Sequence, residues 1–215
     1  MTFGSANETS YGGILIRSIE NKQTGRVHEG SCLVVDAILN LCASTGIKEL
    51  VEVKMNSNAH VFHVNPYLYL RPMSSIANDS LVGSPRVGLT LKVPSVDRER
   101  FLFRSYRFTP TNYYPRKMKM TIVLALAAQR YFQSSTTGLT FSSFSDDLAA
   151  DTKTRLATVK SNLADLQRGY EQDVTSQVSP LVHFHKRALS TSDLATAYGI
   201  WLRLYPINTP TRSAH

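Results

Sequence analysis

The sequence predicts an α+β fold: a mostly antiparallel β domain with one early helix, followed by a helical C-terminal region. Three observations predict it. Short segments of alternating hydrophobicity recur from Ile14 to Val93, as strands with one buried face require. A single stretch near residue 35 repeats its apolar residues at helical spacing instead. After Thr140 the helical period takes over, and acidic residues stand where a helix would begin. The expected organisation is a flexible arm over 1–13, a β-rich mixed domain over 14–140 and a helical region over 141–215 packed on it.

The elements follow in order. Residues 1–13 are small and polar and end in Gly12-Gly13. "ILIRSI", from Ile14 to Ile19, alternates partially and reads as a strand, with "ENKQTGR" as a loop after it. Ser31 is placed to cap a helix whose Leu33, Val34, Ala37, Ile38 and Leu41 share a face, and Gly46 to stop it. "ELVEVKM" sets Leu50 and Glu52 against Val51, Val53 and Met55, which predicts a strand. "HVFHVNPYLYLRP" reads as a strand broken at Pro66, and "RVGLTLKVP" as another. "RKMKMTIVLALAA" begins in strict alternation and ends wholly apolar. Strand and helix both remain open there, because periodicity cannot separate them in a short apolar run.

In the C-terminal region Ser145 is the expected cap, with Asp146 and Asp147 in the first turn where the helix dipole favours acids. Leu156, Val159, Leu163, Leu166, Tyr170 and Val174 recur at spacings of 3, 4, 3, 4 and 4, one stripe on a long helix over 146–176 that Pro180 ends. That stripe is either a core face or a seam for self-association. "STSDLATAYGIWLRLYPI" predicts a further helix or helix-plus-strand, closed by Pro206.

Composition bounds the function. At 215 residues, with 42% hydrophobic and 19% charged residues, the chain buries a real core. Its net charge of +8 favours polyanionic partners, nucleic acid or an anionic membrane surface. Cys32 and Cys42 lie ten residues apart on one predicted helix, about 15 Å, so both are expected as free thiols of a cytoplasmic protein. The N-terminal stretch has neither the basic start nor the apolar core of a signal peptide. The longest apolar run, Met120–Ala128, falls far short of the roughly twenty residues that span a bilayer, so no transmembrane segment is expected.

One stretch dominates. "RERFLFRSYRFTPTNYYPRKMKM", from Arg98 to Met120, holds seven cations and six aromatic rings. Rings stack on bases and cations neutralise phosphates, so the mixture fits single-stranded nucleic acid. It also fits an anionic lipid interface, where rings sit at headgroup depth. The plainer alternative is a core strand with Phe101, Phe103 and Phe108 inside and the arginines merely solvated. The candidate polyanion-binding residues are Arg104, Arg107, Arg116, Lys117 and Lys119, with Tyr113 and Tyr114 as exposed rings on a turn marked by Pro110 and Pro115. Lys186 and Arg187 form a secondary basic cluster.

Other motifs carry less. His60-x-x-His63 and His183-x-His185 offer two ligands each where zinc takes three or four, so no metal and no cofactor is expected. The nucleophile elbow, the Walker A loop, the dinucleotide fingerprint and H-E-x-x-H are all missing from the sequence, which argues against an enzyme. "YLYL" at Tyr67–Leu70 matches a loose sorting signal but reads better as strand.

In the order of its parts the chain resembles the matrix proteins of rhabdoviruses. "ILIRSIENKQTGR" leads into the helix "LVVDAILNLC". "FLFRSYRFTPTNYYPRKMKMTIVLAL" then makes a basic, aromatic approach to an apolar segment, and a C-terminal helix follows. The likeness covers residues 14–126, without a Lys-rich N-terminal tail or a P-P-x-Y motif. It implies self-assembly into a homo-oligomer, contact with a nucleocapsid and peripheral contact with a membrane, and no enzymatic role. The expectation is a non-enzymatic structural protein of viral matrix type, in host cytoplasm and virion. The alternatives are an RNA-binding nucleocapsid or ribonucleoprotein subunit, and a small cytosolic enzyme without a recognisable motif.

Overall fold

The computed structural model describes residues 2–3, 14–55, 81–86, 88, 96–111, 113–115, 119–175, 180–186 and 188–206. The expected strands at "HVFHVNPYLYLRP" and "RVGLTLKVP" lie outside these residues almost entirely, as do His60 and His63. The fold is α+β: helices make up 57% of the described residues, and the strands form small antiparallel sheets. The chain divides into two units, residues 1–76 and 77–215.

In unit 1, β1 (Thr2–Phe3) pairs with β2 (Ile14–Leu15), and β3 (Ser18–Glu20) pairs with β4 (Val27–Glu29). Asn21 turns the β3–β4 hairpin, its Oδ1 accepting from the amides of Gln23 and Thr24. Gly30 then takes φ 120°, a region closed to side chains, and α1 (Ser31–Leu41) starts directly after it. Ser31 is therefore the first helical residue and not the cap. Val34 and Ala37 are buried, whereas Leu33 and Leu41 face solvent. Cys32 and Cys42 are both free thiols.

Two further expectations in unit 1 are corrected. Gly46 does not stop α1. The helix ends at Leu41, Ala43 takes φ 48°, and Lys54 Nζ donates to the carbonyls of Cys42 and Ala43. "ELVEVKM" is not a strand but a π-helix, Glu49–Lys54, with the Met55 amide bonded to the Leu50 carbonyl. Thr45 opens it, its amide and hydroxyl donating to Glu49 Oε2 at 2.8 and 2.6 Å. Those bonds, with Lys54 in support, hold the Glu49 carboxyl below its usual range. Because the folded pKa is the lower one, the cap is present above the ordinary carboxylate range and is lost as pH falls through the depressed value. Protection of the Thr45 amide, its exchange rate relative to that of an unstructured amide at the same pH, should therefore fall on acidification, and Glu49→Gln should remove that pH dependence.

Unit 2 holds the main core. β5 (Leu81–Ser84) pairs antiparallel with β6 (Arg107–Pro110), in register Val82↔Thr109 and Gly83↔Phe108. Val82 and Thr109 are buried, while Leu81, Phe108 and Pro110 face outward, so the ribbon buries one face only. α2 (Val96–Leu102) precedes β6. "KMTIVLALAA" resolves as helix: α3 (Lys119–Gln133) buries eight consecutive residues, Thr121–Ala128. A helix apolar all round sits at the centre of a unit, and this one does.

The long helix expected over 146–176 is two helices, α4 (Ser145–Thr152) and α5 (Leu156–Glu171). Lys153 takes φ 50°, Thr152 Oγ1 donates to the Leu148 carbonyl, and the Thr154 amide bonds back to Ala149. These bonds close α4 and turn the chain. Ser145 does not cap it: the residue lies within the helix and its hydroxyl donates to the Ser142 carbonyl. α5 stops nine residues before Pro180, which instead begins a 3-10 turn, Pro180–Phe184. α6 (Thr191–Leu204) is capped by Ser190 and Asp193, each accepting from the other's amide, and ends before Pro206.

α5 and α6 cross backbone on backbone. A Cβ on Gly169 would lie 2.0 Å from the Thr196 carbonyl oxygen, and one on Gly199 would lie 2.1 Å from that of Leu166. Val159, Leu163 and Leu166 are wholly buried in the resulting core and Tyr170 packs against it, so this stripe is a core face; Leu156, at its start, is 37% exposed.

Candidate polyanion-binding face

The basic-aromatic stretch divides among α2, β6 and the connection to α3. α2 buries Glu99 and Leu102 and is followed by buried Phe103, which stacks with Tyr198 and Trp201 of α6. Glu99 Oε1 lies 2.9 Å from His185 Nε2, and its carbonyl accepts from Trp201 Nε1. These contacts hold α2 against the C-terminal helices. They also engage His185, one of the four histidines considered as metal ligands. Among the described residues no three His, Cys, Asp or Glu side chains gather into a possible metal site.

With its inner side fixed, the stretch turns other rings outward. Phe101 is 46% exposed, Tyr106 56% and Phe108 67%. The core strand with Phe101, Phe103 and Phe108 all inside is thus not formed; only Phe103 is buried. Arg104 lies 5.1 Å from the Phe101 ring centre and Arg100 6.0 Å. Both arginines are exposed, and neither forms an ion pair among the described residues.

The residues singled out from sequence sit differently. Arg104 is on the outer face. Arg107 is half-buried in β6 opposite Ser84. Tyr113 and Tyr114 are half-buried, not exposed, and Tyr114 packs on the core of the unit. Burial, and secondarily Asp151, raises the Tyr114 pKa. Lys119 Nζ donates to the Thr152 carbonyl and so ties α3 to the end of α4. Arg116 and Lys117 lie outside the described residues, as does Arg187; Lys186 is exposed. The structure adds Arg100, Phe101, Tyr106 and Phe108 to Arg104. Arg100 and the three rings were in plain view in the sequence, but which rings face out depends on the partner of each side.

The charge is also segregated. Unit 1 holds six Lys and Arg against six Asp and Glu; unit 2 holds eighteen against ten. The whole net charge of +8 therefore belongs to unit 2. No helix among the described residues is long and apolar enough to cross a membrane.

No family model matches the chain, and no solved structure does. It is similar to an uncharacterised protein of Acanthamoeba polyphaga mimivirus, 32% identical over 83 residues. The match takes in 39% of this chain and 37% of the length of that relative.

Proposed function

We propose that the protein is a non-enzymatic structural protein of viral matrix type, which self-associates and binds a polyanionic surface, bridging a nucleocapsid and a membrane. The observation that carries this reading is the concentration of all net charge in unit 2. There Arg100 and Arg104 stand exposed about the Phe101 ring, and the same stretch exposes the rings of Tyr106 and Phe108. Exposed Leu81 and Pro110 continue that face with apolar surface suited to a headgroup boundary. The viral relative supports a viral setting, in host cytoplasm and virion. Exposed Leu33, Leu41 and Val53 in unit 1, which is neutral, support self-association without like-charge repulsion.

A second reading is an RNA-binding nucleocapsid or ribonucleoprotein subunit. The stacking of two guanidinium groups about one exposed ring, Phe101, favours it.

The test is flotation with phosphatidylserine vesicles, and in parallel titration with single-stranded RNA, over a range of salt. Binding should fall steeply as salt rises. Arg100→Glu with Arg104→Glu removes two surface cations, each worth about 1 kcal/mol near an anionic leaflet, so affinity should drop at least about 30-fold. Preferential loss of vesicle binding favours the matrix reading, and preferential loss of RNA binding favours the second. A variant that binds both partners as the parent does would overturn the assignment of this face.

A further inference from the structure

Unit 2 has a cleft of about 400 Å³. That volume lies within the range of small-ligand sites. One side is formed by Thr111 and Tyr114, from the connection between β6 and α3. The floor includes Leu126 of α3, and Gln129 and Gln133 stand above it one turn apart. Asp151 of α4 closes the far side, in an ion pair with Arg130 at 2.5 Å.

The lining chemistry narrows the occupant. An acyl chain needs apolar walls, and these walls are mainly polar. A bare phosphate needs an uncompensated cation, and Asp151 already neutralises Arg130. What remains well matched is a flat, neutral heterocycle with donors and acceptors on its edge. Tyr114 supplies a ring to stack on and a phenolic hydroxyl that donates at neutral pH. Gln129 Nε2 donates to the Gly83 carbonyl at 3.1 Å, which orients its amide. The side chain of Gln133 makes no hydrogen bond among the described residues and is exposed at the mouth. Glutamine carboxamides pair with base edges in this way. Thr111 and Tyr114 belong to the same basic-aromatic stretch of the chain as Arg100 and Arg104, seven and ten residues after Arg104.

We infer that this cleft takes one nucleobase of a single-stranded nucleic acid, stacked on Tyr114 and bonded at its edge by Gln129 and Gln133. The inference rests on the polyanion-binding reading and adds a base-reading site to it. The test is fluorescence anisotropy of the intact chain with labelled oligouridylate, oligoadenylate and an abasic ribose-phosphate strand of equal length. At least one base-bearing strand should bind about tenfold tighter than the abasic strand. Gln133→Leu, an exposed change that leaves the core alone, should lower that preference several-fold without altering abasic binding. Tyr114→Ala, checked for folding by circular dichroism, should abolish it.

Equal binding of all three strands by the parent overturns the inference while leaving polyanion binding in place. A preference that survives both variants also overturns it, since the bases would then stack on Phe101, Tyr106 or Phe108. No binding to any strand or to anionic vesicles overturns both readings together.

Discussion

Gly199→Ala should destabilise unit 2 by at least about 3 kcal/mol, and Gly169→Ala by a similar amount. On an ordinary helix the change would have the opposite sign. Alanine is the better helix former by about 1 kcal/mol, and it lowers the entropy of the unfolded chain. Here the added methyl meets main chain: the Leu166 carbonyl at 2.1 Å for Gly199, and the Thr196 carbonyl at 2.0 Å for Gly169. No rotamer change relieves a backbone clash, so α5 and α6 must separate. Separation opens the contacts of Leu166, Tyr198 and Ile200, all essentially buried. Gly46→Ala is the control, because nothing lies within 4 Å of a Cβ there; its effect should be neutral or slightly stabilising. Urea denaturation of the three variants measures the difference. A Gly199→Ala protein as stable as the parent would mean that the two helices do not cross this closely.

Leu163→Asp should cost about 4–5 kcal/mol, because it places a carboxylate where no solvent and no cation reaches. Leu163 is wholly buried on α5 between Val159 and Leu166, also wholly buried. The carboxylate must remain unpaired, take up a proton or unfold the helix, and each route loses stability. Leu156→Asp is the informative partner. Leu156 belongs to the same heptad-like stripe, but it is 37% exposed and opens the first turn of α5, where an acid favours the helix dipole. Its cost should stay within about 0.5 kcal/mol. Thermal denaturation of the pair separates a core face from a subunit seam: if Leu156→Asp proved as damaging as Leu163→Asp, the stripe would extend into an interface at its N-terminal end.

What the sequence determined by itself was whatever depends on long, regular repetition. The change of period after Thr140, the apolar spacing from Val159 to Leu166 and the stop at Pro206 were all readable, because a helix of three or more turns repeats its pattern several times. The α+β class follows from the same contrast of periods. The concentration of cations and rings between Arg98 and Met120 is likewise a property of composition, which folding cannot alter.

Only tertiary structure decided the rest. Six residues of alternation in "ELVEVK" suit a strand, yet two bonds from Thr45 to Glu49 and the reach of Lys54 to α1 turn them into a helix. Met120–Ala128 was apolar in any periodicity, and became helix as the centre of a unit that covers it on all sides. The break at Lys153 involves Thr152, Thr154 and the distant Lys119; it lies just before the apolar stripe that starts at Leu156, where the sequence carried no stop signal. Which rings face outward was settled by what covers each side: α3 packs on β5, the Val82–Thr109 pair is buried and Phe108 is left exposed, and α6 takes Phe103 and leaves Phe101. Gly169 and Gly199 carry no periodic signal at all, since their importance lies in the absence of a side chain where another helix passes. Periodicity records which residues seek burial, but the partner that buries them is contributed by segments far away in the chain.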